Sequence, residues 1–484
     1  MPTYQVKTFG CQMNVHDSER IEETLQAIGY WPAAAEEDAD LLVVNTCSVR
    51  DKAEQKLRSL SGALGSLKQR RPGAIVAVAG CVAQQEGEAL LKKMRHVDIV
   101  LGPDNIPELP LLIEAAAGGA PPVARTVHDI DDPVFLRAAV DARRGAAASA
   151  FVTVMKGCDE RCSFCIVPHT RGPERYRPSS EIVAEIERLL SSGVREITLL
   201  GQTVNSYRDP ERRLPPAPMA DEADPDESEF AALLRAIAEQ APALARLRYT
   251  SPHPRHVTPS LVAAHRDLDV LARHVHLPVQ SGSDRVLRRM IRRYTRAEYV
   301  ERAASLGSAR PGLTLSTDVI VGFPGETDED FARTLALVAE VGFAGLFGFK
   351  YSRRPHTPAQ KLADDVPEPV KSARLTALFA LADKLVAEQL GSLVGRTERV
   401  LVEGESKAGS GKVTGRTERN EIVHVAASRA IVGTVVEVRL VRAFKHSLEG
   451  ELMGPDAAGA RPLEPPPVRT ALGRRVLPVL GPGL

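Results

Sequence analysis

The chain has no excess charge of either sign: 62 Lys and Arg are balanced by 62 Asp and Glu, for a formal net charge of zero. That excludes a whole-protein field pulling it onto nucleic acid or an anionic membrane, so any such binding must come from local patches. No apolar run of about eighteen residues or more is present, which excludes a membrane helix. The amino terminus reads directly as a strand, TYQVKTFG, with no basic region followed by an apolar one, so no secretory signal is expected. Cysteine is scarce, with six in 484 residues. Six are too few for a disulfide scaffold, and their grouping in threes argues for a reducing, intracellular setting. Hydrophobic content of 43% and charged content of 26% suit a globular chain with ample core, and the length suits roughly two to four domains.

The few cysteines fall into two sets. Cys158, Cys162 and Cys165 stand within eight residues in the order C-x3-C-x2-C, with no fourth cysteine nearby. A 4Fe–4S cluster normally takes four thiolates. Three leave one iron open, and an open position is where a metal site does chemistry. A structural zinc site borrowing a distant ligand such as His169 is the alternative, although such sites more often pair cysteines twice over. Phe164 lies between the last two cysteines, placed either to pack over a bound ligand or to shield the site from solvent.

Cys11, Cys47 and Cys81 follow strand-like runs, Tyr4 to Phe9, Leu41 to Thr46 and Ala74 to Ala79, and each run gives way to a segment of helical composition. This β-α-β-α-β alternation predicts a parallel sheet. The carboxyl ends of such strands share one edge, where ligands bind. Three cysteines from three strand ends can therefore converge as a second three-thiolate site. Buried, inert thiols are the competing reading.

The first α/β unit is expected over residues 3–119 and a second over 144–376. The second offers six strand candidates: Phe151 to Lys156, Glu196 to Leu200, Leu247 to Ser251, His274 to Val279, Leu313 to Val321 and Leu346 to Tyr351. Helical segments separate them, which predicts a partial (β/α)6 barrel with its active face at the carboxyl ends of the strands. At successive strand ends stand Gly201-Gln202, Gln280-Ser281 and Asp318. Glycine there permits close backbone approach, and Gln or Ser can hold a polar small molecule. The insertion 208–229 is rich in proline and acid and reads as an exposed, mobile loop.

Residues 379–446 read as a helical lead-in followed by period-two alternation with glycine breaks, a small antiparallel β-barrel. Residues 454–484 are rich in Ala, Pro and Gly and are expected to be disordered. The segment Asp284 to Arg296 carries arginines at 285, 288, 289, 292, 293 and 296. Read as one helix, it presents a broad basic face, either tracking phosphates or simply solvated. From Val394 to His446, ten Lys/Arg face six Asp/Glu. Arg416, Arg419, Arg442 and Lys445 are candidate phosphate contacts there, and Phe444 as the lone aromatic argues against base stacking.

The C-x3-C-x2-C loop at the end of the first strand of a partial barrel is similar to the radical S-adenosylmethionine (SAM) superfamily. With the three-cysteine amino-terminal unit and the barrel at the other end, the chain resembles the methylthiotransferases. TFGCQMNVHDSE, NTCSVRDKAEQK, GCVAQQEGE, GPDN, GCDERCSFCIVPHTRG, LLGQTVNSY, HLPVQSGSD and DVIVGFPGETDEDF resemble the tRNA-modifying MiaB type, over residues 3 to about 446. The resemblance implies a 4Fe–4S cluster on Cys158, Cys162 and Cys165 that cleaves SAM to a 5′-deoxyadenosyl radical. It implies a second cluster on Cys11, Cys47 and Cys81 that carries the sulfur, and a TRAM RNA-binding barrel. Gly201, Gln202, Gln280, Ser281 and Asp318 are carried over as SAM-pocket residues, with Phe164 beside them. The implied reaction replaces the C2 hydrogen of N6-dimethylallyladenosine at tRNA position 37 with a methylthio group, using two SAM. The implied partners are that tRNA and a low-potential donor of the flavodoxin or ferredoxin kind, for a cytoplasmic monomer. One departure puts a loop conformation in doubt: His356 stands where the family usually has glycine. Two alternatives stay open. One is a methylthiotransferase acting on another modified adenosine or a ribosomal-protein aspartate, and the other is a non-catalytic zinc RNA-binding protein.

Overall fold

The computed structural model describes residues 1–48, 51–131, 133–137, 147–211, 228–407 and 411–454. Most of the insertion expected to be mobile, and nearly all of the tail expected to be disordered, lie outside the described residues.

The amino-terminal strands are β1 (Thr3–Phe9), β2 (Trp31–Pro32), β3 (Leu41–Thr46), β4 (Ile75–Gly80), β5 (Ile99–Leu101) and β6 (Val123–Arg125). LLVVNT in β3 and IVAVAG in β4 are buried at every position, as expected of central parallel strands covered on both faces. The sheet runs β2-β1-β3-β4-β5-β6, and every pairing is parallel. β1, β3 and β4 are thus neighbours, with Phe9 opposite Thr46 and Thr46 opposite Gly80. The cysteines that follow them leave the sheet at one edge, from strands about 4.8 Å apart.

In the central unit, β7 (Ser149–Thr153) is followed by a short antiparallel ribbon, β8 (Met155–Lys156) with β9 (Arg175–Tyr176), which brackets the C-x3-C-x2-C loop. Then come β10 (Glu196–Leu200), β11 (Arg246–Tyr249), β12 (His274–His276), β13 (Thr314–Val321) and β14 (Gly345–Lys350). They form two parallel sheets, β11-β10-β7 and β12-β13-β14, joined by a bridge between Leu247 and Leu271. The result is an open six-stranded arc with amphipathic helices, such as Ser179–Ser191, Glu229–Gln240 and Asp328–Val341, packed outside it on one continuous apolar core.

The 26-residue helix Glu368–Leu393 buries Leu378 and Ala382 in that core, and Leu390 and Leu393 in the core of the terminal module. The module is a closed barrel of β15 (Thr397–Glu405), β16 (Lys412–Arg416), β17 (Ile422–Ala426), β18 (Val435–Ala443) and β19 (Leu448–Leu452), in the order β15-β16-β17-β19-β18. The barrel extends past the expected end at 446. SLEGEL alternates weakly, and Gly450 is required there because a Cβ would lie 2.2 Å from Val438 Cγ1.

Two expectations about basic residues are corrected. The segment Asp284 to Arg296 is not one helix. Helix Asp284–Arg289 stops, Ile291 and Arg293 take left-handed φ values of 56° and 57°, and a new helix starts at Arg296. Its arginines are largely committed within the fold: Arg285 to Asp330, Arg289 to the Pro324 carbonyl and Arg296 to Glu340. Arg416 and Arg419 are likewise internal, paired with Glu403, and with Glu398 and Glu421. Arg442, stacked over Phe444 at 4.9 Å, and Lys445 remain on the surface.

The barrel docks through a buried network. Glu196 accepts from Arg246 at 3.0 Å and forms an ion pair with Arg248 at 3.0 Å. Arg246 also donates to the Arg416 carbonyl at 3.2 Å and Arg248 to the Thr417 carbonyl at 2.8 Å. Glu196→Ala leaves two buried guanidinium groups without their carboxylate. It should cost about 3–5 kcal/mol of unfolding free energy, read as a lower denaturant midpoint.

Candidate active site

Cys11, Cys47 and Cys81 come together at the sheet edge, where Cys47 is hydrogen-bonded to both of the others. The motif residues beside them explain the convergence. Asn14, from CQMN, donates to Asn45 Oδ1 at 3.0 Å, and Asn45, from NTC, returns a bond to the Asn14 carbonyl at 2.9 Å. Asn14 Oδ1 also accepts from Cys11 Sγ at 3.3 Å. Gly10 lets the first turn close, since a Cβ there would lie 2.5 Å from Cys47 Cβ.

The hydrogen bonds from Cys47, aided by the nearby Arg171 charge, hold the Cys81 thiol down at about 6 and the Cys11 thiol at about 7. Cys47, hydrogen-bonded to both, is pushed well up. Three thiols of this kind, two inclined to thiolate, suit a soft metal centre.

The second triad is gripped from several sides. Gly157 (φ 79°) lets the loop pass under Pro173, whose carbonyl oxygen would lie 1.8 Å from any Cβ. Cys158 Sγ lies 3.0 Å from Thr203 Oγ1, and Cys162 Sγ accepts from Arg292 Nη1 at 3.2 Å. Burial raises Cys158, and raises Cys165 to about 12 with the help of the Cys162 charge. The loop crowds sulfur in a dry site that a bound cation would relieve. Phe164 packs with Val286, Met290, Phe323, Tyr351 and Ala359, closing one wall.

The two triads are neighbours, near enough for the Cys81 charge to bear on Cys165. The docking between them is ionic and buried. Arg171, on the short helix after Cys165, donates to Asp17 Oδ2 at 2.6 Å and hydrogen-bonds Cys81. On the other flank, Asp104 of GPDN meets Arg175 at 2.8 Å, Lys156 at 3.1 Å and His128 at 3.4 Å. Burial opposes ionisation of Asp104, but these partners hold it well below the usual carboxylate range.

Of the expected pocket residues, Gly201 sits where a Cβ would meet Met155 Cγ at 2.6 Å, and both polar atoms of the Gln202 amide are buried without a partner among the described residues. An orphaned buried amide at this strand end fits a polar ligand such as SAM. Gln280 is held at φ 70° by backbone bonds to Asp318 and Ile320 at 2.8 and 2.9 Å. Asp318 faces His276 at 3.5 Å. Ser281 is corrected: its fully buried hydroxyl is engaged with Thr334 and the Ser283 N–H, so it shapes the turn instead of offering a free donor.

Thr203, Arg171 and Arg292 were not singled out for the site from sequence. Only their place in the quoted motifs or the arginine run could have flagged them. Glu160, His253 and His256 also gather their ligand atoms within 4.8 Å of one another. Arg255 lies 3.8 Å from Glu160, and Arg292 and Arg302 bear on His253, a setting that opposes a cation. His169, the alternative zinc ligand, is exposed and stacks 5.4 Å from His356. His356 itself takes φ 62°, so it keeps the left-handed backbone of the glycine it replaces.

An arc of parallel strands carrying a three-cysteine loop, docked on a sheet edge carrying three more, defines a radical SAM protein with a second metal-binding centre. Residues 3–102 match the uncharacterized protein family UPF0004, residues 152–338 the radical SAM superfamily and residues 391–453 the TRAM domain. The chain is 64% identical to the tRNA-2-methylthio-N(6)-dimethylallyladenosine synthase of Sorangium cellulosum, over 98% of both chains. It is 44% identical to the protein of that name from Geobacter sulfurreducens, over 93% of this chain and 97% of the other. A solved radical S-adenosylmethionine methyltransferase from Kitasatospora setae aligns with a TM-score of 0.49 at 16% identity, over 74% of each chain. The chain belongs to the tRNA-2-methylthio-N(6)-dimethylallyladenosine synthase family.

Anaerobic reconstitution with iron and sulfide should load about eight irons per chain. Replacing Cys158, Cys162 and Cys165 together with alanine should leave about four, as two cubane clusters require. Elemental analysis of iron and zinc checks this.

Proposed function

We infer that the protein inserts a methylthio group at C2 of N6-dimethylallyladenosine at position 37 of tRNA. The observation that carries the inference is the pairing of two cysteine triads across the buried Arg171–Asp17 bridge, in a chain of this family. Cys158, Cys162 and Cys165 would hold the radical-generating 4Fe–4S cluster, and Cys11, Cys47 and Cys81 the auxiliary one. When bound, the clusters and SAM supply the one-electron hydrogen abstraction, the sulfur and the methyl group, chemistry that acid–base side chains cannot provide.

The remaining tasks fall to the chain. Gln202 offers an amide donor and acceptor to a polar ligand against Gly201, and Asp318 and Gln280 frame the opposite strand ends. Phe164 and its apolar neighbours exclude water from the radical loop. Arg171 and Asp17 fix the distance between the triads, so that one extruded base can be held against both. The exposed Arg442 and Lys445 offer phosphate contacts for the tRNA on the barrel. The electron donor is of low potential, flavodoxin- or ferredoxin-like, and the protein works as a cytoplasmic monomer. No described helix is long and apolar enough to cross a membrane.

Digested tRNA from a deletion strain should contain dimethylallyladenosine lacking its methylthio group, by mass spectrometry. Normal methylthiolated tRNA in that strain would remove the proposed substrate. Cys47→Ala should abolish the methylthiolated product while 5′-deoxyadenosine still forms from SAM, because the two centres use separate cysteines. Undiminished product from that variant would refute the role of the auxiliary triad.

A further inference from the structure

Arg292 is a buried cation with every nitrogen of its guanidinium engaged. It lies in the tight turn between the left-handed residues Ile291 and Arg293, which directs its side chain inward, and it is 5% exposed. Nε donates to Tyr294 Oη at 3.0 Å, Nη2 to the Pro278 carbonyl at 3.0 Å and Nη1 to Cys162 Sγ at 3.2 Å. The same turn grips the cysteine loop through its backbone: Ser163 N donates to the Met290 carbonyl at 2.9 Å and Ser163 Oγ to the Arg289 carbonyl at 2.7 Å.

Several other buried arginines have carboxylates: Arg177 has Glu185, Arg374 has Glu326, and Arg246 and Arg248 share Glu196. Arg310 is held by three backbone carbonyls and, among the described residues, touches no sulfur. Among the described residues, no carboxylate forms an ion pair with Arg292. A buried charge without a counter-ion is costly. Of its three hydrogen-bond partners, the sulfur of Cys162 is the one that a bound metal centre would hold as a thiolate. Hydrogen bonds to cluster sulfurs, local charge and solvent exclusion together set iron–sulfur potentials. A cation fixed on a ligand sulfur in a dry site stabilises the reduced, more negative form.

We propose that Arg292 is a positioning residue and the built-in counter-ion of the metal–sulfur centre at Cys158, Cys162 and Cys165, holding Cys162 in place and raising the reduction potential of that centre. This rests on the reading of the loop as a cluster site, which iron content tests separately.

The test uses the full chain with Cys11, Cys47 and Cys81 replaced by alanine, so that one cluster remains, reconstituted anaerobically and titrated by EPR. With about four irons bound, Arg292→Gln should shift the reduction equilibrium against the reduced form about tenfold or more, which is about 59 mV for a one-electron couple. Arg292→Lys keeps the charge but cannot span three acceptors, and should fall between Gln and the parent. Formation of 5′-deoxyadenosine should decline in the same order. A parent-like potential in both variants overturns the proposal, as does a parent-like potential in Arg292→Lys alone where Arg292→Gln takes up no iron. A parent that binds no iron overturns the cluster reading and this inference with it.

Discussion

The ion pair of Arg171 with Asp17 is buried on both sides, and desolvating two charges is repaid only where geometry is fixed and further hydrogen bonds are made. Here they are. Arg171 follows Cys165 by six residues and Asp17 follows Cys11 by six, so the pair ties the helix leaving one cysteine loop to the helix leaving the other. Arg171 also reaches Cys81, and its carbonyl accepts from Arg175, which in turn holds Asp104. Breaking this seam would separate the triads and strip the Cys81 sulfur of a cationic neighbour. The geometry of the candidate site is therefore a property of the docking between units and not of either unit alone.

The two triads solve the problem of assembled sulfur differently. At the sheet edge the thiols hydrogen-bond one another, which pushes Cys47 up and draws Cys11 and Cys81 down. In the C-x3-C-x2-C loop, burial dominates and drives Cys158 and Cys165 upward. Local hydrogen bonds from Thr203 and Arg292 are then what orient the sulfurs. One triad is arranged by strand register, the other by a short loop clamped by Thr203 after β10 and by the turn around Arg292.

Strand periodicity made the fold legible. The fully apolar runs of β3 and β4 and the cysteines that follow them led directly to a parallel sheet with convergent thiols, and six β/α repeats led to the open arc. The residues that join the units were not legible, because an Arg–Asp pair 154 positions apart leaves no local pattern. The same is true of Asp104, whose partners lie on β8, β9 and beyond the sheet. The arginine run from 285 to 296 misled for a related reason. Helical spacing was present, but the left-handed turn at Ile291 and Arg293 broke it, and tertiary partners absorbed most of its charge. The barrel's last strand was missed because SLEGEL alternates too weakly to mark its end.

The internal use of arginine bears on how this chain can meet RNA. Arg20, Arg171, Arg175, Arg177, Arg246, Arg248, Arg292, Arg310, Arg354 and Arg374 are all buried, and Arg416 and Arg419 are spent on docking and barrel pairs. These are drawn from the 62 Lys and Arg that could otherwise meet phosphates. Arg288, Arg293, Arg442 and Lys445 are among the cations left exposed. Phosphate neutralisation sets the non-specific part of nucleic-acid affinity, so that part falls to the exposed cations. Discrimination among bases rests instead on an unstacked base held by shape and by hydrogen bonds to its edges. The Arg171–Asp17 seam that brings the cysteines together also sets where such a base would have to stand, so catalysis and recognition share one structural cause.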